Sequence, residues 1–377
     1  MSDWLRSMLA RNAHCAYLRG RSFDELPPVT YDDLLPWLER VWDGEPDVLF
    51  HGRPVAYERT SGSSGASKLI PYSAEGLQDI RSAVAPWIAR HAVRGSVYLA
   101  ISPATRAPER IGGVPVGLPD SAFVDVRSAV PPEVGLITDV ALWRAETLHH
   151  LRAARDLELI SVWSPTFLLR LLDDIDDPVA TWPHLRLVSC WASAASKPYA
   201  DELAARLPHA RIEPKGLMST ECIVTLPGPV LNPYGYFEIG PGGEVIATTA
   251  NGLYRYRTGD LVDANLEFIG RDRVSDLVGE KLSEPFVARC LHDVRGFLAP
   301  DGDGYVVIAE HEVDLDEIER RLCENPQYAY ARRLGQLAGL RLTRGSWDGY
   351  AAAQMARGAR LGDVKPPVIL SREGDRI

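Results

Sequence analysis

The sequence predicts an α/β protein: a large N-terminal part with a mostly parallel sheet flanked by helices plus an antiparallel stretch, then a small α+β part. Three observations predict it. Between residues 96 and 207 the apolar runs "SVYLAIS", "LELISVWS" and "LRLVSCWAS" alternate with the helical patterns "PTFLLRLLDDI" and "KPYADELAARL". Strands covered on both faces by crossover helices read this way. From 234 to 270, "GYFEIG", "GEVIATTA", "LYRYRTGDLVDA" and "LEFIG" are short strands joined by glycine-containing turns, the mark of antiparallel pairing. Beyond about residue 272 the pattern changes to "GYVVIAEHEV" and the helix "DLDEIERRLCE", with a D-x-x-E capping box at Asp314 and Glu317. The expected division is 1–271 and 272–377, the second part being long enough for a small domain.

Ahead of the alternating region, "VTYDDLLPWLERVWDG" reads as a helix capped by Thr30 and ended near Gly44. A second helix, "SAEGLQDIRSAVAPWIARHAV", is opened by Ser73. Between them lies "RTSGSSGASKLIPYS", residues 59 to 73. A run so rich in glycine and small hydroxyl residues has almost no apolar surface to bury and is costly to order, so core packing cannot explain it.

Composition narrows the function. With 377 residues, 46% of them hydrophobic, the chain can build sizeable cores. A net charge of −10 and a pI near 5.5 argue against a nucleic-acid surface. No apolar run reaches membrane-spanning length and the first residues lack the apolar stretch of a secretory signal, so a cytoplasmic location is expected, without membrane partners. The five cysteines, Cys15, Cys190, Cys222, Cys290 and Cys323, form no C-x-x-C pair, and the histidines form no H-x-x-x-H or H-E-x-x-H pattern. Reduced thiols and no protein-held transition metal follow. Of 41 basic residues only five are lysine: Lys68, Lys197, Lys215, Lys281 and Lys365. In a chain that otherwise uses arginine, a retained lysine points to a position needing a compact, mobile ammonium.

Three motifs carry chemistry. "TSGSSGASK" does not match the Walker A spacing, yet glycine-loop amides, Ser and Thr hydroxyls and Lys68 are the parts that hold phosphates; the alternative reading is a flexible linker. In "GLMSTEC", residues 216 to 222, Thr220 can donate to a phosphate oxygen and Glu221 can hold Mg²⁺; the alternative is a helix cap. In "YRYRTGD" and the following "FIGRDR", Asp260 can accept both ribose hydroxyls and Arg271 can reach ribose or phosphate; the alternative is a solvated hairpin.

The order of these motifs resembles the adenylate-forming superfamily. With "PPVTYDDLLPWLERVWDGE", "GEKLSE", "NPQYAYARRLGQL" and "VKPPVIL", the chain from about residue 27 to 370 resembles the Gretchen Hagen family of acyl-acid amido synthetases. The resemblance implies ATP and Mg²⁺ as cofactors, with Thr60, Ser61, Gly62, Ser63, Ser64, Gly65 and Lys68 at the triphosphate, Ser219 and Thr220 near the α-phosphate, and Glu221 at the metal. Asp260 would bind the ribose, Arg271 would stand at a hinge formed by "GRDR", 270 to 273, and Lys281 and Lys365 would be small-domain lysines, Lys365 acting in catalysis. Where relatives carry an adenine-stacking aromatic this chain has Leu217, which leaves Tyr254, Trp191 or an aliphatic sandwich for the base.

The implied reaction is ATP-dependent: a carboxylic acid becomes an acyl-adenylate, and the acyl group passes to an amine, an amino acid in such enzymes, forming an amide. Transfer to a thiol of coenzyme A or a carrier protein shares the nucleotide motifs, and a non-catalytic nucleotide or acyl binder shares the fold. Trp163, Phe167, Val114, Val116 and Phe123 lie in segments able to line the acid pocket, although each is also an ordinary core candidate.

Overall fold

The structure, a computed structural model, describes residues 2–60, 68–99, 109–118, 124–356, 362 and 364–370. In chain order, α1 (Asp3–Asn12) and α2 (Tyr31–Trp42) precede β1 (Ala56–Arg59), β2 (Leu69–Tyr72) and α3 (Ala74–Arg90). Next come β3 (Ser96–Leu99), β4 (Glu109–Ile111), β5 (Val114–Val116), α4 (Val140–Ala153), β6 (Leu157–Ser161), α5 (Pro165–Leu172), α6 (Pro178–Thr181), β7 (Leu187–Cys190), α7 (Lys197–Arg206) and β8 (Arg211–Pro214). A short hairpin, β9 (Thr225–Leu226) and β10 (Val230–Leu231), leads to β11 (Tyr236–Ile239), β12 (Glu244–Thr248), β13 (Tyr256–Val262) and β14 (Phe268–Arg271). The remainder is β15 (Val274–Ser275), β16 (Leu282–Ser283), α8 (Glu284–Cys290), β17 (Gly296–Asp301), β18 (Gly304–Ala309), α9 (Leu315–Leu322), α10 (Pro326–Arg333), β19 (Arg341–Arg344) and α11 (Trp347–Ala356).

The alternating region forms the expected parallel sheet, in the order β3-β6-β7-β8. Helices α4, α5 and α7 bury one face around Trp143, Trp182 and Leu168, and α3 covers the other with Trp87 against Leu99, Leu159 and Leu187. Leu99, Ser161, Ser189 and Glu213 stand in register across these strands, a row of side chains aimed at one face. The stretch after residue 234 is an antiparallel meander, β11-β12-β13-β14. A mixed sheet, β2-β1-β5-β4, joins it to the N-terminal core of Leu34, Leu38, Tyr57, Tyr254 and Tyr256.

Local chemistry explains the helix starts. Thr30 caps α2 in a complete box, its hydroxyl accepting from Asp33 N while the Asp33 carboxylate accepts from Thr30 N at 2.8 Å. Ser73 caps α3 by accepting from Gly76 N and is itself buried, its hydroxyl donating to Ala250 O at 2.8 Å. The box expected at α9 is only half formed. Asp314 accepts from Glu317 N, but the Glu317 carboxylate turns to Arg320 and Arg321 instead of reaching back, because two guanidinium groups one turn on offer charge-assisted bonds.

Among the described residues every hydrophobic cluster lies wholly before residue 272 or wholly after 281. The two sides meet through ion pairs: Arg170 on α5 with Asp348 on α11 at 2.7 Å, and Glu202 on α7 with Arg295 at 3.0 Å. No helix among the described residues is long and apolar enough to cross a membrane.

Candidate functional site

A cavity of about 600 Å³ opens beyond the carboxyl ends of β6, β7 and β8, where α3, the meander and the C-terminal segment converge. Open α/β sheets place ligands at this end of their strands. The ladder continues past the strands, Trp191 N donating to Trp163 O at 2.9 Å and Lys215 N to Cys190 O at 3.0 Å. Trp163, Trp191 and Lys215 are thereby fixed at the rim, and all three line the cavity.

One end of the cavity is polar. Thr60 and Lys68 clamp each other, Thr60 N donating to Lys68 O at 2.9 Å and Lys68 N to Thr60 Oγ1 at 3.0 Å. Both line the cavity; Ser61, Gly62, Ser63, Ser64 and Gly65 lie outside the described residues. Lys68 Nζ donates to Tyr256 Oη at 2.8 Å and stands 3.9 Å from Glu221 Oε1. It also lies 5.5 Å from the centre of the Tyr31 ring, so the Tyr256 hydroxyl and the Tyr31 ring hold the ammonium in place.

Ser219, Thr220 and Glu221 line the same wall. They occupy a tight turn between the bridged residues Met218 and Ile223, with Ser219 N donating to Cys222 O, and so are not a helix cap. Tyr72 Oη donates to Thr220 O at 2.8 Å and ties this turn to β2. Asp260 and Arg271 face each other across β13 and β14, with Arg271 Nε 3.1 Å from Asp260 Oδ1. Arg271 N donates to Glu284 Oε1, and burial holds that carboxyl above its usual range.

Lys365 enters from the C-terminal segment, its ammonium 4.5 Å from the centre of the Trp191 ring. Burial, reinforced by the Arg271 charge, lowers its pKa to about 8. Lys68, Thr220, Glu221, Asp260, Arg271 and Lys365 thus share one cavity although they come from widely separated segments.

Two candidate residues are elsewhere. Tyr254 is fully buried in the N-terminal core, stacked on Tyr17 with its hydroxyl donating to Leu49 O, so it cannot meet a nucleotide. Lys281 is exposed at a left-handed backbone position, φ 48°, and does not line the cavity. In "GEKLSE" the inward residue is Glu280, whose carboxylate accepts from Leu277 N, Val278 N and Tyr305 Oη.

The acid-pocket candidates divide similarly. Trp163 lines the cavity, Phe167 is buried on α5 in the core of the parallel sheet, Val114 and Val116 pack on the N-terminal core, and Phe123 lies outside the described residues. Leu217 is buried below the meander; Trp191 remains at the cavity, with Met218, Ile223 and Pro227 as aliphatic neighbours. Sequence reasoning missed Tyr256, Tyr31, Arg273 and the α3 face formed by Ile80, Val84, Trp87 and Ile88, all but Tyr256 in the lining. Helical spacing in α3 was the available signal for the last group.

The donor set bears on the metal. Among the described residues the one cluster able to present three ligand atoms is His14, Cys15 and Asp47, none of which lines the cavity. At the polar end Glu221 is the carboxylate beside Lys68, and Asp260 is engaged by Arg271. Glu58, Glu244 and Asp272 also line the cavity, and Glu221, 3.9 Å from Lys68, is a donor of the kind Mg²⁺ takes, one or two carboxylates with water and substrate phosphates completing its shell.

Residues 2–177 match the GH3 family N-terminal domain. Over 101 residues, 23% of this chain, the sequence is 36% identical to an indole-3-acetic acid-amido synthetase, GH3.15, of Arabidopsis thaliana; the matched segment spans 17% of that relative. A solved GH3.15 acyl acid amido synthetase superposes with a TM-score of 0.82 at 19% identity, covering 98% of this chain and 91% of that one. A 2-hydroxyisobutyryl-CoA ligase in the postadenylation state superposes with a TM-score of 0.55 at 13% identity, covering 99% of this chain and 86% of that one. Residues 2–177 are thus similar to a GH3 family N-terminal domain, and the chain as a whole shares its fold with these solved structures.

Proposed function

We propose that this chain, similar in part to the GH3 family N-terminal domain, is an ATP-dependent ligase that adenylates a carboxylic acid and passes the acyl group to an amine, an amino acid being the class of acceptor. The observation that carries the reading is the convergence of Lys68, Thr220, Glu221, Asp260, Arg271 and Lys365 on one cavity that also has an apolar wall. In the first half-reaction an acid carboxylate oxygen attacks the α-phosphorus of ATP and pyrophosphate leaves. In the second an amine nitrogen attacks the acyl carbon, AMP leaves and the amine proton is released.

Charge accumulates on the departing pyrophosphate. Lys68, held by the Tyr256 hydroxyl and the Tyr31 ring, supplies a fixed positive charge beside the clamp of Thr60. Mg²⁺, held at Glu221, would supply Lewis-acid neutralisation of the phosphates. Thr220 presents a donor to the α-phosphate, Asp260 accepts from the ribose, and Arg271 orients Asp260. Lys365 brings its ammonium to the reacting carboxylate end, with Trp191 beneath it. The apolar wall of Trp163 and the α3 face excludes water from the acyl group.

The reading includes two units, 1–271 and 272–377, with residues 270 to 273 as the hinge and Lys365 carried by the smaller one; the partition of the hydrophobic clusters supports it. The test is pyrophosphate exchange into ATP with Mg²⁺ across aromatic, indolic, aliphatic and amino-substituted acids, followed by amino acids, other amines and coenzyme A as acceptors. Exchange with at least one acid, lost in Glu221→Ala and Lys68→Ala, is expected. ATP binding with no exchange for any acid would overturn the reading.

A further inference from the structure

The cluster of His14, Cys15 and Asp47 does not line the cavity, and the proposed reaction gives it no role. Its residues come from two loops, one after α1 and one between α2 and β1. Backbone bonds pin these loops together, Ala16 N donating to Asp47 O at 2.8 Å and Tyr17 N to Val48 O at 3.0 Å. His51 joins the same group, its backbone N donating to Asn12 Oδ1 at 2.9 Å, while Arg19 Nη2 donates to His14 O at 3.0 Å. Asp47 takes a left-handed backbone, φ 55°, which turns its loop back so that Asp47 N donates to Gly52 O at 2.9 Å.

Three side-chain atoms meet where the loops touch. His14 Nε2 lies 3.3 Å and His51 Nδ1 3.1 Å from the same oxygen, Asp47 Oδ1, and the two nitrogens are 3.3 Å apart. Protons alone cannot satisfy this triangle. The carboxylate oxygen only accepts, so two protonated nitrogens would face each other as donors, and an unprotonated one would face the oxygen as a second acceptor. A cation at the centre is complementary to all three atoms at once. The spacing fits as well, since donors about 2.0–2.1 Å from a tetrahedral ion stand about 3.3–3.4 Å from one another. Gly52 N donates to Asp47 Oδ1 at 2.7 Å and holds the carboxylate in place, as a partner behind a metal ligand does. The fully buried Cys15 thiol also lies within 4.8 Å of a His14 nitrogen and an Asp47 oxygen. Imidazoles with a sulfur neighbour suit Zn²⁺ and its transition-metal relatives, whereas Mg²⁺ and Ca²⁺ take oxygen.

We infer that His14, His51 and Asp47 form a binding site for a divalent transition-metal ion of the zinc class, with solvent completing the shell. The histidine side chains are 51% and 57% exposed, so the ion enters from solvent without unfolding of the chain. Away from the cavity, its role is that of a clip joining loops whose histidines are 37 positions apart in the chain. No linear histidine spacing announces such a site, because its ligands come from separate loops. The site is independent of the ligase reading and of Mg²⁺ at Glu221.

The test uses the full chain, stripped with a chelator and without ATP, titrated calorimetrically with ZnCl₂ and followed by absorption with CoCl₂. The native protein is expected to take up about one equivalent of Zn²⁺, and Co²⁺ in its place should give the intense visible bands of a four-coordinate ion. His14→Ala and His51→Ala should each weaken Zn²⁺ binding by roughly tenfold or more, and the double variant should lose that equivalent. Excess Mg²⁺ should leave the Zn²⁺ isotherm unchanged. Zn²⁺ should raise the midpoint of thermal unfolding of the native chain but not of the double variant, and without metal the two midpoints should agree. Equal Zn²⁺ binding by the native protein and the double variant, or only the pale spectrum of six-coordinate cobalt, would overturn the inference. Should the double variant not fold, the cobalt spectrum of the native chain and the affinity of His51→Ala decide.

Discussion

Lys365 and Trp191 meet with the ammonium 4.5 Å from the ring centre, joining the C-terminal segment to the end of β7. The lysine pKa is lowered to about 8, first by burial and then by Arg271. For a lowered lysine the charged form is complete below the folded pKa and lost above it. If adenylation needs the ammonium, its kcat/KM in the free enzyme should therefore fall as pH rises through about 8. Lys365→Arg should remove that alkaline limb, and Lys365→Met should lower exchange by roughly 10²–10³-fold. The buried charge also costs stability at pH below 8, a penalty that fades between 8 and 10.5, so Lys365→Met should raise the unfolding free energy at pH 7 by about 1–3 kcal/mol.

Tyr256 positions Lys68 by accepting a 2.8 Å hydrogen bond from its ammonium. Tyr256→Phe keeps the buried ring and removes the bond. Exchange should drop by roughly 10–100-fold, about the worth of one hydrogen bond to a charged group, against roughly 10²–10³-fold for Lys68→Ala. Equal losses in both variants would show that Tyr256 does more than orient the lysine.

Asp260 is both a ribose candidate and the partner of Arg271. Asp260→Asn should raise the KM for ATP by roughly tenfold or more and lower stability by about 2–3 kcal/mol, because a buried guanidinium loses a counter-charge. Chemical denaturation and ATP titration of the same preparation separate the two effects.

The contacts Arg170–Asp348 and Arg295–Glu202 hold the C-terminal part in this orientation. The double variant Arg170→Ala with Arg295→Ala should slow adenylation severalfold while leaving attack of an amine on preformed acyl-adenylate within about twofold, each exposed pair being worth ~0.2–1 kcal/mol. A proline at Asp272 is a poorer probe, since Asp272 N donates to Gly259 O at 2.8 Å and that bond would be lost as well.

Tyr254 offers a control away from the cavity. Tyr254→Phe leaves Leu49 O without its buried donor and should cost about 1–2 kcal/mol of stability with no change in ATP affinity.

The sheet, the meander and most of the polar end were legible because each rests on contiguous signals: alternating apolar runs, glycine turns, and motifs whose residues lie within a few positions of one another. Tyr254 was not, because "YRY" places two tyrosines two residues apart and side by side in period, and only the packing of Tyr17 shows that the first is claimed by the core while the second reaches Lys68. Lys281 failed for a similar reason: the left-handed backbone at that residue turns its side chain outward and gives the interior to Glu280. Trp191, Trp163 and Lys215 share the cavity through strand register, which no local pattern reports. The scarcity of lysine was the one sequence signal that reached Lys215.

Arg271 acts on two neighbours at once, attracting Asp260 and repelling Lys365. The repulsion belongs to this orientation, because Lys365 comes from the far end of the chain and Arg271 from the last strand of the meander. An anion placed between two like charges screens their mutual cost, and its removal restores it. If the proposed nucleotide places a phosphate between Arg271 and Lys365, its occupancy and the seating of the C-terminal lysine are linked through a single pair of cations, a pressed spring that the bound anion keeps closed.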